Sequence, residues 1–250
     1  MTYPERLRAA RNDPEQVVLE GFHALKHALR FGAELQVAIT DDPPGLARLA
    51  AELAPDLDLD GLVEHVEPGA LGPRAHHTRV LAVARRPCFE PPAPATGPVV
   101  ALEDPRHLGN VGAVVRVAAA AGAAGVLTTG ARDPWDPAAV RGAAGLHFAL
   151  AVSRVDAFPD DRPLVAVVPG GEPPQAALPP DALLAFGTER AGLTPRLLER
   201  ADARVGIPMR PGVSSLNLAT AVAVVLYAYC ARSGFSQRSM VQMGPIPTDS

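Results

Sequence analysis

The sequence has few of the features that mark several large classes of protein. It contains 250 residues but only two cysteines, Cys88 and Cys230, which lie far apart and show no metal-ligand spacing. A disulfide framework and a metal site are therefore not expected, and a reducing compartment fits this cysteine usage. The first residues lack the apolar segment of a signal peptide, and the longest apolar run, Ala221 to Cys230, is far shorter than a membrane span. We expect a soluble, cytoplasmic protein.

Aromatic residues and lysine are also scarce. Aromatic residues make up 4% of the chain, so packing must depend on Ala, Val and Leu, and Lys26 is the only lysine. The net charge of -4 gives no overall polycationic signature for nucleic acid. The cations are almost all arginines, whose planar guanidinium groups suit phosphate. Genome composition explains the same bias equally well.

The proline-rich segment from Pro87 to Pro98 divides the chain. Its five prolines exclude a helix or a central strand, so we interpret residues 87–98 as a semi-rigid linker. Residues 1–86 alternate short strand and helix patterns and predict a small α/β unit. Residues 99–250 contain continuously apolar strands between helices, which indicates an α/β domain with a mostly parallel sheet covered on both faces. One of its predicted strands runs from Phe148 to Val152.

The first unit carries five of the seven histidines. His76 and His77 lie in a polar segment beside Arg74 and Arg79. They are candidates for contacts with RNA phosphate or bases, although a solvated loop is the simpler interpretation. The neighbouring residues include no acidic partner and no third ligand, so the sequence does not indicate a metal site here. A helix predicted from Phe22 to Phe31 carries more basic residues on one side, which an exposed face explains as well.

Three loops of the second domain each follow a predicted strand. They are Glu103 to Arg116, Phe186 to Gly192, and Ile207 to Thr220. In open parallel sheets, ligands bind at the carboxyl ends of the strands, so the shared position indicates one composite site. Arg116 lies in an otherwise apolar helix, where a charge needs either an ion-pair partner or a ligand. Gly112, between Asn110 and Arg116, lets another backbone approach closely.

The third loop leads into a helix that is apolar almost all round, from Ala221 to Cys230. Ser214 or Ser215 is placed to cap that helix. Because it lacks a polar face, both of its sides should be covered. Dinucleotide, P-loop and nucleophile-elbow motifs are absent, which argues against those sites.

Taken in order, the three loops resemble the three signature motifs of the SPOUT-class RNA ribose methyltransferases of the TrmH type. The resemblance covers about residues 98 to 232. Its first motif is Asn110-Val-Gly-Ala-Val-Val-Arg116 with Ala121-Gly122. Its second is Phe186-Gly-Thr-Glu-Arg-Ala-Gly192 with Ala201-Asp202 and Ile207-Pro-Met209. Its third is Ser215-Leu-Asn-Leu-Ala with Ala221 and Tyr227.

The resemblance implies a deep trefoil knot, a homodimer, and an S-adenosylmethionine cofactor held largely by backbone groups. The implied cofactor-binding residues are Thr128, Thr129, Gly187, Ile207, Met209 and Leu216. The implied catalytic residues are Asn110, Arg116, Glu189, Ser215 and Asn217. The expected reaction transfers a methyl group to a ribose 2′-hydroxyl of rRNA or tRNA. We expect Arg116 to clamp phosphate and stabilise alkoxide charge, because arginine almost never loses its proton.

The resemblance extends more weakly to residues 1–86, whose layout is similar to the small RNA-binding domain of many relatives. The segment Arg141-Gly-Ala-Ala-Gly145 departs from the family, which often has a serine before the glycine. Because the net charge is acidic, the arginines must be clustered for RNA binding, and Arg106, His107, Arg141 and Arg210 border the expected site. The alternatives are a catalytically inactive RNA-binding or ribosome-assembly protein of the same fold, and an unrelated small-molecule-binding domain.

Overall fold

The computed structural model describes residues 9–73, 75–174, 178–188 and 191–232. Two β-sheets organise this part of the chain, one of four strands and one of six. Among the helices of the described ranges, none combines the length and apolar character that crossing a membrane requires.

The first sheet is built by the region predicted as a small α/β unit, and its strand order is β1-β4-β2-β3. β4 lies antiparallel to both β1 and β2, and β3 is a short parallel addition to β2. The strands are Gln16–Glu20 (β1), Leu35–Thr40 (β2), Glu64–His65 (β3) and Val80–Arg85 (β4). The helices Phe22–Arg30 (α1) and Pro43–Leu53 (α2) accompany them.

The second sheet is entirely parallel, with the order β10-β8-β9-β5-β6-β7. Its strands are Val99–Leu102 (β5), Gly125–Thr128 (β6), Ala151–Arg154 (β7), Leu164–Glu172 (β8), Leu183–Phe186 (β9) and Ala203–Val205 (β10). The helices are Leu108–Ala120 (α3), Pro137–Gly142 (α4), Pro195–Arg200 (α5) and Leu218–Arg232 (α6). The prediction of a mostly parallel sheet with interspersed helices is confirmed.

Helices cover both faces of the six-stranded sheet, which explains why its strands are continuously apolar. Successive residues of β5 enter different clusters: Val100 and Leu102 pack with α3 and α6, whereas Val99 and Ala101 pack with α5. This alternation follows from the two-residue period of a strand. With both faces buried, all four positions of β5 are apolar.

The two sheets share one hydrophobic cluster instead of forming separate cores. Gly145, with a φ of 77°, allows a close approach: a Cβ on it would lie 2.5 Å from the carbonyl oxygen of Ala24 in α1. Nδ1 of His27 lies 2.8 Å from the carbonyl oxygen of Ala144, and Arg86 forms a two-pronged ion pair with Asp133 at 2.7 and 2.8 Å. The segment Arg141 to Gly145, in which this chain lacks the serine that relatives often carry, thus contacts α1.

The proline-rich segment 87–98 is docked along the second sheet. The Phe89 carbonyl accepts a hydrogen bond from Ser153 of β7, and the Pro92 carbonyl accepts one from Arg162. Its lack of regular structure was predicted correctly from its prolines.

Two local predictions were wrong. Residues Leu146–Ala149 form a 3₁₀ helix, so the strand expected from Phe148 to Val152 begins only at Ala151. The cap of α6 is Asn217, whose side-chain oxygen accepts from the backbone N–H of Ala219 at 3.0 Å, and not Ser214 or Ser215. Neither error moves a strand within the sheet.

Candidate active site

A cavity of about 250 Å³ opens at the carboxyl ends of β9 and β10. Its walls come from the middle of β8, the loop after β9, the loop after β10 and the start of α6. The lining residues are Val167, Val168, Pro169, Phe186, Gly187, Thr188, Gly192, Ile207, Met209, Ser214, Ser215, Leu216, Leu218 and Ala221. No ionisable side chain of the described residues belongs to this lining, so the walls offer apolar surface, hydroxyls and backbone groups.

The loop after β9 is folded back on itself beside the cavity. Thr188 and Gly192 form an antiparallel bridge, with backbone N–H···O distances of 3.1 and 3.0 Å. Gly187 packs against the backbone of Gly192 so closely that a Cβ would overlap it, so only glycine fits there. Glu189, the predicted acidic residue of this loop, lies outside the described residues.

The loop after β10 supplies the opposite wall. Predicted cofactor-binding residues Ile207, Met209 and Leu216 line the cavity, as does Ser215, which was predicted to contact the acceptor. The loop approaches β8 closely: the N–H of Gly206 donates to the carbonyl oxygen of Glu172 at 2.8 Å. The two loops predicted as parts of one composite site therefore meet at one cavity.

Two predicted amides join the first loop to the third. Nδ2 of Asn217 donates to Oδ1 of Asn110 at 3.2 Å, which ties the start of α3 to the start of α6. The other end of the Asn217 amide caps α6, so its orientation is set from two sides. Asn217 directly precedes Leu218 of the cavity wall, which places this amide pair at the edge of the cavity.

Thr128 and Thr129, predicted to bind cofactor, are not brought to the cavity. Thr128 ends β6 fully buried, and its hydroxyl has no hydrogen-bond partner among the described residues. The hydroxyl of Thr129 accepts from the N–H of Asp104 at 3.1 Å. Thr129 therefore braces the loop after β5, and Thr128 faces the protein interior.

Arg116 is also separate from the cavity lining. It lies on α3 six residues after Asn110, about 9 Å along the helix axis at 1.5 Å per residue. Its side chain is exposed, and its charge is one of the influences that lower the pKa of His23 on α1. Among the described residues, Arg116 forms no ion pair.

Close packing between α3 and α4 helps to position Asn110 and Arg116, the two predicted site residues on α3. The backbone of α4 crosses α3 at Gly112, where a Cβ would overlap the carbonyl oxygen of Ala139. The close backbone approach predicted at Gly112 is therefore confirmed, and the approaching chain is α4. This crossing fixes α3 between Asn110 and Arg116.

Sequence reasoning missed three cavity residues, Val167, Val168 and Pro169. They lie in the middle of β8, which the structure extends to Glu172, beyond the predicted end at Val168, and where the pairing with β10 shifts register. The available signal was the pair Pro169-Gly170 directly after the apolar run Leu164 to Val168, which is typical of an interruption in a strand. Neither residue type by itself indicates ligand binding.

The model of the SpoU rRNA methylase family matches residues 97–227. The "uncharacterized tRNA/rRNA methyltransferase" of Synechocystis sp. is 31% identical over 87% of this chain and 84% of its own length. A tRNA (cytidine(34)-2′-O)-methyltransferase of Burkholderia pseudomallei is 36% identical over 54% of this chain and 96% of its own.

The crystal structure of the SpoU methyltransferase AviRb from Streptomyces viridochromogenes, in complex with AdoMet, superposes with a TM-score of 0.71. It is 26% identical, and the superposition covers 94% of this chain and 95% of that chain. The likeness therefore includes both sheets.

Proposed function

Because the chain belongs to the SpoU rRNA methylase family, we propose that it is an S-adenosylmethionine-dependent methyltransferase acting on a ribose 2′-hydroxyl of rRNA or tRNA. The observation that carries this proposal is the cavity, where the second and third motif loops meet at the carboxyl ends of parallel strands. The relatives named for 2′-O-methylation, and a structural neighbour that binds AdoMet, support the same activity.

The cavity fits S-adenosylmethionine by its chemistry. Apolar side chains such as Ile207 and Leu218 offer a surface for a purine ring, and the hydroxyls of Ser214 and Ser215 offer polar groups. Gly187, Ile207, Met209 and Leu216 are the residues we propose to hold it. When bound, S-adenosylmethionine supplies an electrophilic methyl group.

The chain's own residues would orient the acceptor. We propose that Ser215, on the cavity wall, and the Asn110–Asn217 amide pair, at its edge, position the acceptor ribose for in-line attack. Glu189 belongs to the same proposal by its place in the second motif. Arg116 would hold the phosphate beside that ribose and stabilise negative charge on the 2′-oxygen, since it cannot serve as a base.

We further propose that the protein works as a homodimer. The face of α6 that carries Val224 and Tyr227 is 40% and 53% exposed at these residues, although the helix has no polar side. Leu216 at the cavity and Val213 before it are also exposed, at 41% and 49%. A second copy packed on this surface would cover it and lie beside the cavity.

The remaining parts of the proposal concern the knot, the domains and location. The loop after β10 lies against the ends of β8 and β9, an arrangement that supports the trefoil knot implied by the family. We propose that residues 1–86 help to bind RNA, that residues 87–98 link them to the catalytic domain 99–250, and that the enzyme acts in the cytoplasm, where its RNA substrates are.

The decisive experiment measures methyl transfer and cofactor binding separately. Purified protein should transfer tritiated methyl groups from S-adenosylmethionine to total bacterial RNA, and nuclease mapping should locate them on 2′-oxygens. Arg116→Ala should abolish transfer while leaving calorimetric S-adenosylmethionine affinity nearly unchanged, and Arg48→Ala, on the exposed surface of α2, is the matched control. Absence of cofactor binding by the wild-type protein would refute the proposal.

Two further outcomes are informative. RNA binding without any methyl transfer would favour the inactive RNA-binding protein. Mixing Arg116→Ala with Asn217→Ala should restore part of the activity if Arg116 serves the cavity of the other copy, and none if it serves its own.

A further inference from the structure

A group of cationic and titratable side chains lies where α1 and the loop before β4 meet α3 and α4. Its exposed members are His23 on α1, His77 in the loop, Arg116 on α3 and Arg141 on α4. Charges on Lys26, Arg116 and His77 all lower the pKa of His23, and charges on His77, His23 and Arg141 lower that of His76. Geometry brings the two regions together: the ring of His76, 4.1 Å from that of His77, covers Gly21 at the start of α1, and Arg141 pairs with the neighbouring Glu20 at 3.5 Å. We call the four exposed side chains the histidine–arginine face.

The loop that carries His77 is held rigidly. The carboxylate of Asp41, almost wholly buried, accepts from Arg79 Nε at 2.8 Å and from the backbone N–H groups of Gly69 and Leu71 at 3.0 and 3.2 Å. Arg79 Nη1 also donates to the carbonyl oxygen of Gly72 at 2.9 Å. The loop therefore keeps its shape without a ligand.

His76 belongs to this scaffold, whereas His77 does not. Nδ1 of His76 lies 2.8 Å from the hydroxyl of Thr78, and its ring covers Gly21 so closely that a Cβ there would lie 2.5 Å away. The ring of His77 lies over that of His76, with centroids 4.1 Å apart, and remains exposed. Within the described residues neither His77 nor His23 makes a hydrogen bond or an ion pair.

We propose that the histidine–arginine face binds the phosphodiester backbone of the substrate RNA, with His23 as a protonation-dependent contact, His77 as a hydrogen-bonding contact, and Arg116 and Arg141 as permanently charged contacts. The inference rests on the proposed function, because Arg116 ties this face to the proposed acceptor phosphate. The rigid loop presents donors without a cost of ordering them. Among the described residues, no group of three histidine, cysteine, aspartate or glutamate side chains could hold a metal ion, so a metal centre is not the explanation for the cluster.

The charges that surround the histidines determine how binding should depend on pH. Burial is the first cause that lowers the pKa of His23, followed by the charges of Lys26, Arg116 and His77. Burial also lowers the pKa of His76, and Glu20, which pairs with Arg141 at 3.5 Å, raises it. A bound phosphate adds negative charge and favours the protonated ring, so RNA binding should take up protons and strengthen as the pH falls.

The test measures affinity for a fluorescein-labelled, mixed-sequence single-stranded RNA against salt concentration at pH 8.0 and pH 6.0. Each phosphate contact contributes about 0.7 to the slope of log K against log salt for single strands. The wild-type slope should therefore be steeper at pH 6.0 by about one such contact or more. In the double variant His23→Gln/His77→Gln the two slopes should coincide, and Arg141→Gln should lower the slope by about 0.7 at both pH values.

His65→Gln is the matched control, because His65 is an exposed histidine on β3, at the edge of the first sheet opposite β1. It should leave the pH response intact, and circular dichroism at pH 6.0 should show each variant folded. A wild-type slope that does not change with pH, or a pH response that survives in the double variant, would overturn the proposal. So would an equal loss in His65→Gln.

Calorimetric S-adenosylmethionine binding and methyl transfer are measured on the same samples. If cofactor binding and methyl transfer are normal but RNA affinity does not depend on pH, the proposal for the histidine–arginine face is wrong and the proposed function is unaffected. If the RNA results are as expected but the cofactor does not bind, the proposed function fails and the face remains an RNA-binding surface.

Discussion

His147 should make the protein sensitive to acid. Its side chain is fully buried, with Nε2 2.8 Å from the carbonyl oxygen of Pro134. Since a carbonyl only accepts, Nε2 carries the hydrogen, and Nδ1 has no partner among the described residues. Burial lowers the pKa of His147 to about 4, although the hydrogen bond to Pro134 opposes that shift.

The free energy of unfolding depends on pH because the pKa of His147 is lower in the folded protein than in the unfolded chain. The unfolded chain, with an ordinary histidine pKa near 6.5, binds a proton that the folded protein refuses until about pH 4. The free energy of unfolding is therefore complete above about pH 6.5 and is lost progressively as the pH falls from there towards 4. The loss should reach about 2 kcal/mol at pH 5 and approach about 3 kcal/mol at lower pH.

Urea unfolding from pH 7.5 to pH 4.5, followed by circular dichroism, measures this loss. The fluorescence of Trp135, the only tryptophan, is a second probe, because its ring lies 4.9 Å from that of His147. His147→Phe removes the titrating group, and His65→Phe controls for the loss of an exposed histidine. At neutral pH, His147→Phe should cost about 1 kcal/mol for the lost hydrogen bond.

Below pH 6.5 the wild-type and His65→Phe proteins should lose stability faster than His147→Phe does. Parallel curves for all three proteins would refute the reasoning. An NMR titration that gave His147 a pKa near 6.5 in the folded protein would refute it as well.

Three further predictions concern backbone contacts and the cap of α6. Gly145→Ala should lower the free energy of unfolding by about 1–3 kcal/mol, because the residue has positive φ and its Cβ would overlap Ala24. Thermal unfolding measures this loss. The control is Gly69→Ala, at a glycine that also has positive φ but no neighbour near its Cβ position, so the comparison separates the packing effect from backbone strain. Gly112→Ala should destabilise by at least as much, since its Cβ would overlap the carbonyl of Ala139, and an unchanged melting temperature would contradict the crossing of α3 and α4. Asn217→Ala should cost about 1 kcal/mol through loss of the helix cap and Asn217→Ser much less, so equal costs would show that the cap is not the reason.

Patterns that depend on neighbouring residues were predictable from the sequence. The central strands β5 and β9 are apolar runs bounded by turn residues, and the helices between strands follow from spacing and from proline and glycine at their ends. The three loops were identified as one site because parallel strands end at one edge of a sheet. Two of these loops, those after β9 and β10, do meet at the cavity.

Details that depend on where a helix begins, on which way a side chain points or on tertiary contacts were not predictable. Three hydrogen-bonding residues precede α6 within four positions, and only the observed helix start selects Asn217 over Ser214 and Ser215 as its cap. Thr128 has the sequence position of a ligand contact, but its side chain lies on a buried face of β6. The burial of His147 depends on packing against Trp135, twelve residues earlier, for which the sequence contains no signal.

Packing between the two sheets fixes the position of α1 relative to Arg116. Arg116 forms no ion pair among the described residues, and its charge adds to the burial that lowers the pKa of His23 on α1. Helix α1 is held in place by contacts of Ala24 and His27 with the segment after α4. If residues 1–86 were only tethered by the linker, the histidines would take no fixed position relative to Arg116. Because a shared core joins the sheets, phosphate bound by His23 and phosphate bound by Arg116 must lie at a fixed separation along one RNA strand. The interface therefore couples where the RNA is held to which ribose is presented for methylation.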